Sequence, residues 1–283
     1  MQVKSSSFFA RSCLWVNTLE YSAVDQLGGT NMRKYTVKQD PRDFRDLTYR
    51  SVNFIRESDL PKHIDLRNRL SPVVNQGALG SCTSNAIVSG LREFWLRTEE
   101  QNPPRLSRLF HYWHERELEN TVETDSGATI RDGLKVLQKT GVCPEEVWPY
   151  EINNFRSTPN YEAEALARYY RIEGYHRIHD LAGIKASLAD GSPVVFGIWI
   201  YSSFESKKAT TTGIIPYPNR KKEKLLGGHA LLAVGYKDGK EKGQGVVIVR
   251  NSWGSKWGDG GYCYIPYSFF RNKSLTFDFW TGK

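Results

Sequence analysis

Cys82, His229 and Asn251 carry side chains that together could perform nucleophilic chemistry on a carbonyl. Cys82 follows Gly80-Ser81 and opens a run in which Ile87, Gly90, Leu91, Phe94 and Trp95 share one helical face. A thiol at a helix N-terminus sits where unpaired N–H groups and the positive dipole end favour thiolate. Taken singly, such a cysteine is most often a small core side chain. His229, which starts an apolar run after Gly227-Gly228, would most often be a satisfied, partly buried imidazole. Their order along the chain changes the weighing. A thiol near the front of the folded core, then a distant histidine, then an asparagine, in that order, is an arrangement in which a nucleophile and its base can meet.

The elements that must position these residues are readable from periodicity. Besides the helix opened by Cys82, a helix is expected through Leu106 to Glu119. Another, bearing Ile130, Leu134 and Leu137, is stopped by Gly141. The second half of the chain changes character. Pro193 to Ile200, His229 to Tyr236, Gly245 to Arg250 and Gly261 to Tyr267 are short β-branched or aromatic runs between glycine-rich turns. Helices first and closely spaced strands second imply an α+β fold with an antiparallel sheet or barrel, in two lobes. The thiol then comes from a helix and the imidazole from a strand.

Composition narrows the function. The chain carries 39 Lys+Arg against 31 Asp+Glu, a net charge of +8, and 13% aromatic residues, which is globular material with a substantial core. No stretch approaches the ~20 apolar residues of a membrane-spanning helix, so no membrane partner is expected. The basic cluster Arg220, Lys221, Lys222 and Lys224 has no nucleic-acid reading module beside it and is read as a solvated loop. His111 and His114 lie three apart on a helix, but no third ligand accompanies them, so neither a metal nor any other cofactor is expected. The four cysteines (Cys13, Cys82, Cys143, Cys263) are too few and scattered for a disulfide framework, and no convincing secretory signal opens the chain. A reducing, intracellular setting is the expectation.

Three motifs, in order, carry a family resemblance. Gln76-Gly77-Ala78-Leu79-Gly80-Ser81-Cys82 resembles the nucleophile motif of papain–cathepsin cysteine peptidases. Gly228-His229-Ala230 through Val234-Gly235-Tyr236 is similar to their histidine strand, and Asn251 to Tyr262 matches their N-S-W-G-x-x-W-G-x-x-G-Y box. The resemblance spans roughly residues 60 to 280. It implies a helical left lobe, a β-rich right lobe and an active-site cleft between them. It also implies that Cys82 attacks the scissile carbonyl, paired with protonated His229, that Asn251 orients the imidazole, and that Trp253 shields that contact. Gln76 would supply the oxyanion hole. Gly127, Ala128 and Thr129 would line substrate subsites, and Gly228 and Trp253 would also contact substrate. The expected activity is endopeptidase cleavage of peptide or protein substrates. An acyltransferase, or a pseudopeptidase that only binds peptide, are the rival readings. Leu79 stands where secreted members carry a bridged cysteine, and Thr83 replaces the usual aromatic, so the packing under the cleft should differ. The cysteine-poor core, Leu106 to Phe110 and the closing Asp278 to Thr281 are similar to a compact branch of bacteria, archaea, protists and large DNA viruses.

Residues 1–59 read as an N-terminal extension ahead of a catalytic domain at 60–283. They are too few for the long helical propeptide of secreted cathepsins. Two roles fit: a permanent strap, or a cis-inhibitory prosegment over residues 1 to about 35 that makes the product a zymogen. The charged run around Pro41 to Tyr49 suits either, with Phe44 and Leu47 as its apolar anchors.

Overall fold

The computed structural model describes residues 33–51 and 56–283. Cys13 and most of the expected prosegment lie outside them.

Seven strands form one antiparallel sheet: β1 (His63–Asp65), β2 (Tyr175–Ile178), β3 (Val194–Tyr201), β4 (Leu225–Asp238), β5 (Gly245–Arg250), β6 (Tyr262–Pro266) and β7 (Thr276–Gly282). The order across the sheet is β2-β7-β3-β4-β5-β6, with β1 paired to the far end of β4. Strands β3 and β4 are buried along nearly their whole length because both faces of the sheet are covered. That is why they read as continuous apolar runs rather than alternating ones. In the β4–β5 ladder Leu232 stands opposite Arg250, so the chain leaving β5 runs back alongside the start of β4. The register brings Asn251 to His229.

The helical lobe is built around the segment opened by Cys82. It begins as Cys82–Ser84, widens to π geometry over Asn85–Arg92, and ends as the α-helix Glu93–Glu99. Ile87, Leu91 and Phe94 are fully buried, and the first turn packs directly on β4. Beside it lie the helix Arg108–Leu118, capped by the Ser107 hydroxyl, and the helix Ile130–Lys139, capped by Thr129. Gly141 follows the latter at φ 88°, the left-handed turn expected after its end. The architecture is the expected α+β pair of lobes, with helices on one side and the antiparallel sheet on the other.

Lys38 to Tyr49 forms no regular element, as its charge and Pro41 imply, but it is tightly held. Arg177 on β2 pairs with three carboxylates at once: Asp40 (3.0 Å), Asp46 (2.8 Å) and Asp278 (2.9 Å). Arg131 closes the cluster through its own pair with Asp46 (2.7 Å). The buried Asp40 carboxylate also accepts the Trp280 indole N–H (2.7 Å) and the Arg131 backbone N–H (3.1 Å). Further along, Tyr49 and Leu47 exchange backbone hydrogen bonds with Arg177, and the Tyr49 and Ser51 hydroxyls donate to Asp190. The expected apolar anchors are corrected here: Phe44 and Leu47 point to solvent. A segment without periodicity has no apolar face to bury, so its attachment is made by buried ion pairs and backbone bonds instead.

Candidate active site

Cys82 is the first residue of its helix and is completely buried. Burial pushes its thiol up to about 12, against the pull of the Ala230 and Thr83 backbone N–H groups. His229, on β4, is also fully buried, and its Nε2 meets Asn251 Oδ1 at 2.9 Å. Nδ1 has no hydrogen-bond partner, which leaves that nitrogen for proton exchange. The Trp253 ring stacks on the imidazole at 4.9 Å, over the His229–Asn251 contact. Burial holds His229 down at about 4, with the Asn251 bond opposing and Arg33 assisting. Burial thus disfavours the charged form of both groups, against the pull of the helix terminus.

Gln76 is buried six residues before Cys82 and fixed at both ends of its side-chain amide. Oε1 accepts from the Ser252 hydroxyl (2.6 Å), and Nε2 donates one proton to the Leu79 carbonyl (2.9 Å), which leaves its second N–H for an oxyanion. The Tyr150 hydroxyl donates to the Gln76 carbonyl and contacts Ser81, tying the whole nucleophile loop together. Thr83, where an aromatic was anticipated, sends its hydroxyl to the buried Glu115 carboxylate at 2.7 Å. The packing beneath Cys82 is thus a polar contact rather than a ring. The two helix histidines have structural partners: His111 meets the Gly133 carbonyl, and His114 bridges Glu117 and Glu164.

Ala128, Thr129 and Gly228, among the expected subsite residues, are paired by the chain itself. Residues 33–38 cross between them in extended form. Thr36 bridges Gly228 and Lys38 bridges Thr129, both in parallel sense. The Val37 N–H donates to the Gly228 carbonyl (3.1 Å) and the Lys38 N–H to the Ala128 carbonyl (3.3 Å). The Thr36 hydroxyl donates to the Gly80 carbonyl (2.9 Å), and the Tyr35 ring stands edge-on to His229 and Trp253, 6.0 Å from each. Contact is close enough to require glycine. A Cβ on Gly127 would lie 2.2 Å from the Thr36 carbonyl oxygen, and one on Gly228 would lie 2.5 Å from that of Val37.

The sequence reading did not single out the carboxylates that hold this segment. Lys34 pairs with Asp125 (2.6 Å), Lys38 with Glu119 (2.6 Å) and Arg33 with Glu205 (3.1 Å). The only advance signal was the alternation of Lys34, Thr36 and Lys38 with Tyr35 and Val37, a period-two pattern.

Comparison with known proteins agrees with this geometry. Residues 60–273 match the family model described as papain family cysteine protease. An uncharacterized peptidase C1-like protein, L477, of Acanthamoeba polyphaga mimivirus is 40% identical over 231 residues, covering 78% of this chain and 72% of the viral one. Peptidase 1 of Psoroptes ovis is 31% identical over 225 residues, 77% of this chain and 63% of that relative. Among solved structures, xylellain, a cysteine protease from Xylella fastidiosa, superposes with a TM-score of 0.79 at 36% identity, covering 90% of this chain and 99% of its own. A family model that matches residues 60–273 and a relative 40% identical over 231 residues lead to one assignment: the chain is a cysteine peptidase of the papain family.

Proposed function

We propose that the chain is a cysteine endopeptidase made in a latent form, with Cys82 as nucleophile, His229 as acid–base and Arg33 to Lys38 as the inhibitory segment. The observation that supports latency is the pairing of residues 36–38 with Gly228 and Thr129, with the Tyr35 ring edge-on to the His229 imidazole. Departure of that segment readmits water and restores the charged pair. The Cys82 thiol then passes its proton to His229 Nδ1, and the thiolate attacks the scissile carbonyl carbon. The oxyanion is received by the Cys82 N–H and the free N–H of Gln76, a donor of a kind worth about 3 kcal/mol of barrier. His229 protonates the leaving amine and then takes a proton from the water that hydrolyses the thioester. Asn251 holds the ring in register throughout, and Gly127 to Thr129 together with Gly228 and Trp253 contact the peptide.

In this reading the two roles expected as alternatives for the N-terminal extension fall to two parts of it. Residues up to Lys38 are the releasable part. Asp40 to Ser51 are the strap and belong with the catalytic domain, because their loss would strip Arg177 of two of its three carboxylates and the buried Arg131 of Asp46. The test of the nucleophile is a cysteine panel. Cys82→Ala should abolish peptide hydrolysis, while Cys143→Ala and Cys263→Ala, at buried thiols remote from the groove, should keep most of it. Turnover by Cys82→Ala within tenfold of wild type would overturn the assignment.

A further inference from the structure

The groove's own occupant reports what the groove binds. Along residues 33–38 the side chains alternate: Lys34, Thr36 and Lys38 face the helical lobe, while Tyr35 and Val37 face the sheet. The helical wall meets the two lysines with two carboxylates, each held by a backbone N–H and each offering an oxygen to the lysine. Asp125 Oδ1 takes the Gly80 N–H (2.9 Å) and the Tyr112 hydroxyl (2.6 Å), and Oδ2 takes Lys34 Nζ together with the same Gly80 N–H (3.1 Å). Glu119 Oε1 takes the Thr129 N–H (2.8 Å), and Oε2 takes Lys38 Nζ. On the other side Glu205 pairs with Arg33 and accepts the Tyr35 hydroxyl.

These acids are features of the groove and not only of its plug. The Asp125 and Glu119 side chains are 8% and 12% exposed with the segment in place. Once residues 33–38 leave, each remains a carboxylate fixed by its backbone hydrogen bond whose cation has gone, and such a charge draws a replacement. Asp125 lies closest to the chemistry, because its backbone donor Gly80 is two residues before Cys82. The chain's overall charge of +8 does not oppose this, since charges beyond ~8 Å are screened at physiological salt while the groove acids act at contact.

We infer that the open groove selects peptides with Lys or Arg beside the scissile bond, with Asp125 as the main specificity-determining residue and Glu119 and Glu205 extending the preference outward. This rests on the peptidase reading above. A small basic oligopeptide stretch, resembling the Arg-Lys-x-x-x-Lys of the segment itself, is the substrate class it defines.

The full-length chain can be tested without trimming. Latency lowers the open fraction for every substrate alike, so it scales the yield and leaves ratios between substrates unchanged. A synthetic peptide mixture with Arg, citrulline, Lys, norleucine and Glu placed in turn at the two residues before a common cleavable bond is digested, and cut sites are counted by mass spectrometry. Wild type should cut Arg and Lys peptides at least tenfold faster than their citrulline and norleucine matches, with Glu slowest. Asp125→Asn keeps the shape and an oxygen acceptor, and should reduce that ratio at least fivefold. It should raise total cutting, because Lys34 loses its partner. Equal cutting of Arg and citrulline peptides by wild type would overturn the inference while leaving the peptidase reading intact. So would a ratio unchanged in Asp125→Asn. Should that variant not fold, Glu119→Gln must weaken the preference for a base at the more distant position for the inference to stand. Absence of any cutting, with Cys82 inert to a peptidyl epoxide, would refute the peptidase reading and the inference together.

Discussion

Asp40 is the residue on which attachment of the strap most depends, and replacing it gives a sharp test. Asp40→Ala removes the acceptor for three donors: Arg177 Nη2, the Trp280 indole N–H and the Arg131 backbone N–H. Each donor left unsatisfied in a buried place costs about 1–3 kcal/mol. Two considerations reduce the sum. Arg177 keeps Asp46 and Asp278, and the cluster has three carboxylates for two guanidinium groups, so one negative charge is in excess. That excess and burial push Asp40 up to about 6, and burial raises its neighbour Asp278 as well. A net loss of about 3 kcal/mol is expected for Asp40→Ala. Asp40→Asn, which keeps an acceptor oxygen and sheds the surplus charge, should cost about 1 kcal/mol or less. The pH dependence has a definite sign. Asp40 holds its proton more tightly folded than unfolded, so its contribution is greatest at low pH and declines as pH rises from about 4 through about 6. Asp40→Asn should therefore compare more favourably with wild type at pH 7 than at pH 4. Denaturant titration at both pH values, followed by tryptophan fluorescence, reads the whole pattern. Asp40→Ala within 0.5 kcal/mol of wild type would refute the strap as a structural part of the domain.

Two further outcomes follow from the covered groove. Burial disfavours the charged form of both Cys82 and His229, and passing the thiol proton to the imidazole leaves the number of bound protons unchanged, so opening should not depend on pH near neutrality. The ratio of intact to trimmed peptidase rate should therefore stay constant between about pH 6 and about pH 8, and a steep change across that range would contradict the assignment. Val37 is buried against Gly228, so Val37→Asp places an unpaired carboxylate there at a cost of about 3 kcal/mol or more, and basal activity should rise about a hundredfold. No change in basal activity would show that residues 36–38 do not block the groove.

Much of the site was legible because it is written in local patterns. The Ile87, Leu91 and Phe94 face declared the helix that carries Cys82, and the β-branched runs declared the strands that bring His229 and Asn251 together. What was illegible depends on distant partners. β2 and β7 pair with each other across a hundred residues, and neither Tyr175 to Ile178 nor Thr276 to Gly282 has a period that stands out from its surroundings. Phe44 and Leu47 were natural anchors by residue type, yet Arg177 holds their segment, a choice fixed only when β2 places that guanidinium between Asp40, Asp46 and Asp278. Likewise Asp125 sits 91 positions from Lys34, and nothing near either residue announces the pair.

The most direct test of the account is the rate at which a peptidyl epoxide modifies the chain before and after residues 1–38 are removed, with the modified residue mapped by mass spectrometry. Slow modification of the intact chain is expected, with at least a hundredfold acceleration on trimming and a single adduct on Cys82 in both forms. Equal rates with the N-terminus intact, or an adduct on Cys143 or Cys263, would contradict it.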